Sequence, residues 1–340
     1  MRIGIDARIL AHPKCGISSY VYNLVKNYLT LRPSYDIFLF SDNQFYPDNE
    51  PLFVSPHLHK VIFASSKKEK KKWAQKFLPH KLKEYNIDIY HATWNEAVPA
   101  KRRCPCVLTI HDLAPWILGG HFKNKRKELR YKLRHFLSAH RADIIITVSY
   151  KSREDISRIC WVNKNKIKVV YLGVDEDFKQ KVDENIQDSI LERYNLKDKH
   201  YFIDTLGIDH PRRNSRFVLE GFYEFLKKNN KDYYLVYTGN FYKESKEYVN
   251  LIKRISELNL KERVVITGWI PTQDLIVLLS NAVISIIPSL YEGFCLPLLE
   301  SFACGVPVIA SNRGSIPEVA GGSAVLLEPY DVRGLVESMS

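Results

Sequence analysis

Short runs of apolar residues alternate with amphipathic segments along the whole chain. The apolar runs predict β-strands at residues 2–6, 36–40, 61–63, 87–90, 106–110, 143–148, 168–171, 201–206, 233–238, 264–267, 282–287, 306–310 and 324–327. Helical spacing of apolar residues predicts helices between several of them, at residues 18–30, 123–140, 214–228, 244–258, 273–280 and 297–304. Residues 144–146 are three consecutive isoleucines, which is typical of a parallel strand covered by helices on both faces. The alternation therefore predicts an α/β protein with open, mostly parallel sheets.

The predicted strands fall into two series on either side of a polar stretch at residues 172–198, which we interpret as a linker. A chain of 340 residues exceeds what one hydrophobic core usually organises. The two series therefore predict two Rossmann-like domains, residues 1–175 and 176–340. Ligands of such sheets bind beyond the carboxyl ends of the strands. The unusual residues follow predicted strands: Gly16, His111-Asp112, Arg212-Arg213 and the loop that begins at Ser289.

The densest chemical signal lies at residues 289–300, with the sequence SLYEGFCLPLLE. Pro297 suits the first turn of a helix, so residues 292–296 form the loop before it. The unpaired N–H groups and the positive dipole end of such a helix favour a diphosphate, and Gly293 permits close backbone approach. Glu300 lies in the first turn, where its carboxylate can accept hydrogen bonds from both hydroxyls of a ribose. Glu292 can hold sugar hydroxyls or stabilise positive charge that develops at an anomeric carbon.

This segment resembles the signature of two glutamates separated by seven residues in the retaining glycosyltransferases of family four, which have the GT-B fold. The resemblance extends over nearly the whole chain. The matching segments are MRIGIDARIL and CGISSY at the start, TIHDL at residues 109–113, ADIIITVS at 142–149, VVYLGVD at 169–175, and PRRN at 211–214. It implies two Rossmann-like domains whose parallel sheets face each other across a cleft, with the acceptor bound to the first domain and the donor to the second.

Residue roles follow from that resemblance. Glu300 is expected to bind the donor ribose, and Glu292 is expected to hold the donor sugar. Arg213 is expected to neutralise the diphosphate, with Arg212 nearby. A guanidinium offers a phosphate two parallel donors and always carries its charge. The rest of the donor loop comprises Gly293, Phe294, Cys295 and Leu296.

In the first domain, Gly16 is expected to let its loop approach the donor phosphate or the acceptor. His111 is expected to contact the transferred sugar. The resemblance thus implies His111, Glu292 and Arg213 as the catalytic residues.

Cys295 departs from the family pattern, which usually has a second glycine there, so the backbone must avoid glycine-only conformations or bear strain. Family members normally continue through helices that cross back to the first domain, whereas this sequence ends at Ser340. Ser315 and Glu318 fit a capping box, which predicts a local role for Glu318.

The basic charge is confined to the first half of the chain. Through Asp175 it carries 31 lysine and arginine residues against 15 acidic ones, a net charge of +16, whereas the remainder carries 19 against 23, a net charge of −4. Residues 67–83 and 123–141 concentrate the excess. A solvated face, an anionic membrane surface and nucleic acid all fit this charge, but no recognised nucleic-acid motif accompanies it. Trp73 and Phe77 among lysines suit an amphipathic helix inserted into a membrane interface, and equally an ordinary surface helix.

The family resemblance implies a metal-independent hexosyltransferase that transfers mannose from a GDP- or UDP-linked sugar to a glycan or lipid-linked acceptor with retention. No cofactor is expected, because the nucleotide sugar is a substrate. The alternatives are a catalytically silent nucleotide-sugar-binding protein and, from charge alone, a nucleic-acid-binding protein. The start of the chain does not resemble a signal peptide, and the six scattered cysteines suit reduced thiols. We therefore expect a cytoplasmic protein, with peripheral attachment to the inner face of the membrane as a further expectation.

Overall fold

The computed structural model describes residues 1–12, 16–47, 54–63, 73–95, 98–119, 124–179, 181–229 and 232–340. The chain forms two compact units, Met1–Leu172 and Gly173–Ser340, and each contains its own parallel sheet. The predicted α/β fold with two Rossmann-like domains is confirmed.

The first unit contains a seven-stranded sheet in the order β3-β2-β1-β4-β5-β6-β7. Its strands are β1 (Arg2–Asp6), β2 (Asp36–Ser41), β3 (Leu58–Ile62), β4 (Ile89–Ala92), β5 (Cys106–Ile110), β6 (Ile144–Thr147) and β7 (Ile167–Val169). Its helices are α1 (Gly16–Leu31), α2 (Leu78–Glu84), α3 (Ala114–Ile117), α4 (Lys125–Arg141) and α5 (Tyr150–Cys160). A π-helical turn, Trp73–Phe77, precedes α2.

The second unit contains a six-stranded sheet in the order β10-β9-β8-β11-β12-β13. Its strands are β8 (His200–Asp204), β9 (Tyr233–Thr238), β10 (Val264–Gly268), β11 (Ile284–Ile287), β12 (Val308–Ser311) and β13 (Val325–Leu327). Its helices are α6 (Glu184–Arg193), α7 (Ser215–Lys228), α8 (Lys246–Glu257), α9 (Thr272–Ser280), α10 (Leu296–Ala303), α11 (Ile316–Ala320) and α12 (Val332–Met339).

Each sheet has a point where the strand order reverses. In the first unit β1 pairs with β2 on one side and β4 on the other, and in the second β8 pairs with β9 and β11. The loops that leave the two strands at such a point run in opposite directions, which opens a crevice beyond their carboxyl ends. The fold therefore offers one ligand crevice in each unit.

The predicted linker at residues 172–198 is wrong in part, because helix α6 lies within it. Asp183 caps α6 by accepting a hydrogen bond from the backbone N–H of Asn185 at 2.9 Å. Ile190 and Leu191 are buried in the core of the second unit. Only a narrow apolar stripe is needed to dock this helix, which is why its sequence resembles a polar linker.

Of the two interpretations left open for Trp73, the structure contradicts insertion into a membrane interface. The Trp73 side chain is fully buried, stacks on Phe63 with ring centroids 5.7 Å apart, and lies under the guanidinium of Arg8 at 4.2 Å. Trp73 therefore belongs to the hydrophobic core, and it cannot insert into a membrane interface while the unit is folded. Residues 64–72, which include most of the lysines of the basic segment 67–83, lie outside the described residues. Among the described helices, none is both long enough and apolar enough to cross a bilayer.

Candidate functional site

The crevice of the second unit is formed by the segments that follow β8 and β11. The first is a short 3-10 helix, Pro211–Arg213, and the second is the loop between β11 and α10. The two segments are joined by a hydrogen bond from the backbone N–H of Leu290 to the carbonyl oxygen of Arg212, at 2.8 Å. The structure therefore brings together the predicted arginines and the predicted donor loop.

The carboxylate of Glu292 is held from two directions. Ser289 Oγ donates a hydrogen bond to its Oε1 at 2.8 Å, and Arg212 Nη1 donates to its Oε2 at 3.1 Å. Arg212 Nη1 also donates to the carbonyl oxygen of Tyr291 at 3.3 Å. Both side chains of the ion pair are partly exposed. The arrangement fixes the orientation of Glu292 while its carboxylate remains accessible at the crevice.

The backbone of Glu292 is supported by the loop that begins α11. Its carbonyl oxygen accepts hydrogen bonds from the N–H of Ser315 at 3.1 Å and from Ser315 Oγ at 3.0 Å. A Cβ atom at Gly314 would lie 2.6 Å from the same oxygen, so that position requires glycine. The predicted capping box of Ser315 and Glu318 is wrong, because the hydroxyl and N–H of Ser315 are both used by Glu292 and the hydroxyl makes no cap hydrogen bond.

Helix α10 begins as the sequence predicts, with Pro297 in its first turn. Cys295, the residue before the helix, has φ 78° and ψ 68°, in the left-handed region that favours glycine. The backbone at Cys295 was expected either to avoid conformations that favour glycine or to bear strain, and the structure has the strained backbone. Burial raises the pKa of the Cys295 thiol well above its ordinary value, and nearby Glu292 adds to the effect. The side chain is accordingly a neutral part of the core, beside buried Gly293 and Phe294.

The expected position of Glu300 in the first turn of α10 is wrong, because the helix begins at Leu296 and Glu300 is its fifth residue. No described residue donates a hydrogen bond to its carboxylate. Burial, together with the neighbouring carboxylate of Asp175, raises the pKa of Glu300 to about 7. A buried carboxylate with a raised pKa lacks the hydrogen-bond donors that would stabilise its negative charge. It is suited to accept hydrogen bonds from ligand hydroxyls.

Arg213 faces a buried acid that the sequence analysis did not identify. The Nε atom of Arg213 is buried, and no described residue accepts a hydrogen bond from it. Burial raises the pKa of Asp204, at the end of β8, to about 7, although the charge of Arg213 opposes the shift. Asp204 Oδ2 likewise has no hydrogen-bond partner among the described atoms. Asp204 could have been found in the sequence, because it is a charged residue at the end of a strand that is otherwise mainly apolar.

In the first unit, His111 follows β5 and points its Nε2 at the carbonyl oxygen of Thr93, 3.2 Å away. Because a carbonyl can only accept, Nε2 carries the proton and Nδ1 is left as an acceptor. The ring of Tyr20 meets His111 edge-on at 4.8 Å. Burial lowers the pKa of His111 to about 4, so the imidazole is neutral at physiological pH.

A second buried histidine, His91, was also missed by the sequence analysis. Its Nε2 lies 2.7 Å from Thr109 Oγ1, which is in turn 3.0 Å from the hydroxyl of Tyr20. Burial, reinforced by nearby His111, lowers the pKa of His91 to about 4. This network ties α1 to β4 and β5 and positions the side chains around His111.

Gly16 begins α1, and a Cβ atom at this position would meet no described atom within 4 Å. The described neighbours therefore do not require glycine here. Residues 13–15, which precede it, lie outside the described residues. Within the described part of the chain, no group of three or more histidine, cysteine, aspartate or glutamate side chains is arranged to hold a metal ion.

Two Rossmann-like units, with charged side chains gathered where the strand order of the second unit reverses, define the GT-B class of architecture. The structure of HepE from Anabaena in complex with UDP and glucose has this fold. It aligns with a TM-score of 0.76 at 18% identity, covering 100% of this chain and 89% of that one. Residues 15–178 match the family described as Glycosyltransferase Family 4, and residues 186–340 match Glycosyl transferases group 1. The chain belongs to the family-four glycosyltransferases.

Two relatives from Escherichia coli share sequence with the chain. It is 30% identical to O-antigen chain mannosyltransferase B over 251 residues, which is 74% of this chain and 64% of that protein. It is 28% identical to the serotype-specific mannosyltransferase WbdA over 243 residues, which is 70% of this chain and 28% of that protein. The chain thus spans less than two thirds of the length of either relative.

Proposed function

We propose that this chain is a retaining hexosyltransferase that moves mannose from a nucleoside-diphosphate sugar to a hydroxyl of a glycan or lipid-linked acceptor. The observation that carries the proposal is the side chain of Arg213. Its buried Nε has no described partner, and it lies in the crevice that also contains Glu292, Glu300 and the start of α10. A buried N–H donor that lacks an acceptor is costly, and a bound anion would supply that acceptor to the guanidinium.

The donor diphosphate is assigned to Arg213 and the N-terminus of α10. Both supply positive electrostatic potential, so charge that develops on the leaving phosphate is stabilised without a metal ion. The ribose is assigned to Glu300, whose carboxylate lacks described donors and gains them from two ribose hydroxyls. The sugar is assigned to Glu292, which Ser289 and Arg212 hold in one orientation.

In the proposed reaction the acceptor hydroxyl oxygen forms a bond to the anomeric carbon as the bond from that carbon to the diphosphate oxygen breaks. The acceptor proton passes to the leaving diphosphate on the same face of the sugar, so configuration is retained. Glu292 stabilises the positive charge that develops on the sugar. Neutral His111 has its Nδ1 available as a hydrogen-bond acceptor, which suits the contact with the transferred sugar that the family resemblance implies.

Mannose is preferred because both Escherichia coli relatives are named mannosyltransferases. The base of the donor is left to experiment, since the HepE structure contains UDP while mannose is commonly carried by GDP. A thermal-shift comparison of GDP, UDP, GDP-mannose and UDP-glucose identifies the donor, because a ligand that binds only the folded state raises the melting temperature.

The reaction itself is tested by release of the nucleoside diphosphate from the identified donor in the presence of a glycan acceptor and EDTA. We expect turnover to continue in the chelator. Loss of turnover in EDTA with recovery on addition of magnesium or manganese would contradict the assignment of the diphosphate to Arg213. Donor binding without any hydrolysis or transfer would favour a catalytically silent binding protein.

A further inference from the structure

A large cavity lies in the crevice of the first unit, beyond the carboxyl ends of β1 and β4. Its volume is about 890 Å³, and its walls include Asp6 at the end of β1, Asp42 just after β2, and Thr93 and Trp94 just after β4. This is the point where the strand order of the first sheet reverses. By the topology of the fold it is the expected ligand position in this unit.

One wall of the cavity is a face of α4 that carries three arginines. Arg130, Arg134 and Arg141 line it, and their spacing of four and seven residues places them on one side of the helix. No described residue accepts a hydrogen bond from the guanidinium of Arg130 or Arg141. Like charges four residues apart destabilise a helix, so this face favours a bound anion.

Arg8, just after β1, is a fourth arginine in the lining of the cavity, and its orientation is fixed. Arg8 Nε and Nη2 donate to the two carboxylate oxygens of Asp6 at 2.9 and 2.8 Å, and its guanidinium lies over the ring of Trp73. Asp6 is therefore neutralised by Arg8, and Asp42 is the remaining acid in the wall. Four arginines against two aspartates give the cavity a net positive charge.

The cavity also has features that suit a sugar. Its volume exceeds that of a phosphate group several times, and Trp94 lines it with 40% of its surface exposed. An exposed indole face packs against the C–H face of a sugar ring, and the amides of Asn43 and Gln75 in the same wall offer polar contacts to hydroxyls.

We propose that this cavity binds the acceptor through a phosphate or diphosphate group attached to its saccharide. The arginines of α4 bind the anion, and Trp94 packs on the sugar. This inference rests on the proposed transferase function and specifies its acceptor class. A soluble sugar phosphate and a lipid-linked diphosphate saccharide share this chemistry.

The test uses mannose 1-phosphate as the probe, mannose as the uncharged comparison, and the whole chain with the double substitution Arg130→Gln and Arg134→Gln. Both side chains are exposed, so the variant should fold with an unchanged melting temperature. We expect wild type to bind mannose 1-phosphate far more tightly than mannose. Each of the two substitutions in the double variant should weaken mannose 1-phosphate binding about tenfold. Added salt should weaken it as well.

Two matched variants separate this site from the donor site. Lys125→Gln removes a positive charge from an exposed position of α4 that does not line the cavity, and it should leave probe binding unchanged. Arg213→Gln should weaken nucleotide binding and spare mannose 1-phosphate, whereas the Arg130 and Arg134 double variant should do the reverse. This double dissociation supports the inference.

The source of the phosphate is distinguished by farnesyl diphosphate, an isoprenoid diphosphate without sugar. Leu129 and Leu133 on α4 are 68% and 54% exposed next to the arginines. Farnesyl diphosphate binding that is weakened by Leu129→Ser and Leu133→Ser supports the lipid-linked form. Binding of mannose 1-phosphate alone supports the soluble form.

The inference is overturned if wild type binds the nucleotide donor but binds mannose 1-phosphate and farnesyl diphosphate no better than mannose. Equal binding of the anionic probes by wild type and the Arg130 and Arg134 double variant also overturns it. Failure of every nucleotide and nucleotide sugar to bind contradicts the proposed function itself, which is a different result.

Discussion

Glu300 destabilises the free protein, as expected for a residue shaped to bind a ligand. Its folded pKa of about 7 lies above the ordinary value of 4.5. The folded state therefore binds the proton more tightly than the unfolded state, and stability is lost as pH rises from about 4.5 through 7. Below that window both states are protonated and the effect vanishes.

We expect Glu300→Gln, which resembles the protonated acid, to stabilise the ligand-free protein by on the order of 1–3 kcal/mol at pH 8. The stabilisation should shrink as pH falls toward 4.5. Denaturant unfolding of both proteins at pH 5 and pH 8 measures the difference. A constant difference at the two pH values would show that Glu300 is not held in a desolvated, donor-poor site.

Cys295 is the residue at which this chain departs from its family, and its left-handed backbone is the structural consequence. Such a conformation disfavours a residue with a Cβ by about 1–2 kcal/mol, whereas glycine adopts it freely.

Two substitutions at Cys295 separate strain from packing. Cys295→Gly and Cys295→Ala both remove the buried thiol, but only glycine relieves the strain. We expect the glycine variant to be more stable than the alanine variant by roughly 1 kcal/mol in chemical denaturation. A less stable glycine variant would mean that the backbone is unstrained at this position.

At the scale of elements, the strands could be predicted well because buried parallel strands are short and apolar on both faces. The predictions for residues 2–6, 106–110 and 233–238 coincide with β1, β5 and β9. Helix α10 was predictable from Pro297. Two predictions failed because of tertiary contacts. The linker prediction failed at α6 because this helix packs through few apolar residues. The capping box failed because Ser315 Oγ donates a hydrogen bond to the carbonyl oxygen of Glu292 instead of capping its own helix.

Helix α6 gives a direct test of that explanation. Ile190 is 3% exposed in the core of the second unit, whereas Ile186 on the same helix is 44% exposed. We expect Ile190→Ala to lower the free energy of unfolding by about 2–4 kcal/mol, and Ile186→Ala by less than about 0.5 kcal/mol. Equal effects in urea unfolding would mean that the segment is the solvated linker suggested by its composition.

At the scale of the whole molecule, the predicted donor residues do lie together, because Arg212, Arg213 and Glu292 follow neighbouring strands of one sheet. The sequence could not reveal Asp204 or the arginine-lined cavity, since both depend on side chains from distant segments that converge at a crevice. Charge counting located the excess of basic residues in the first half of the chain, but it could not show which of them lie together in the structure. Burial of Trp73 excludes it from membrane contact, and the arginines of α4 are the basic residues that line the cavity.

The central claim is that the loop between β11 and α10 binds the nucleotide sugar donor. Its most direct test is a steady-state kinetic comparison of wild type with Glu300→Ala and Glu292→Gln, using the donor identified by thermal shift. A ribose contact acts equally in the ground and transition states, whereas a contact at the anomeric centre strengthens in the transition state.

We expect Glu300→Ala to raise the KM for the donor about tenfold or more with a smaller change in kcat. Glu292→Gln should lower kcat by about a hundredfold or more with little change in donor affinity. Melting temperatures of the two variants confirm that they are folded. Wild-type kinetics in both folded variants would contradict the assignment of this loop as the donor site.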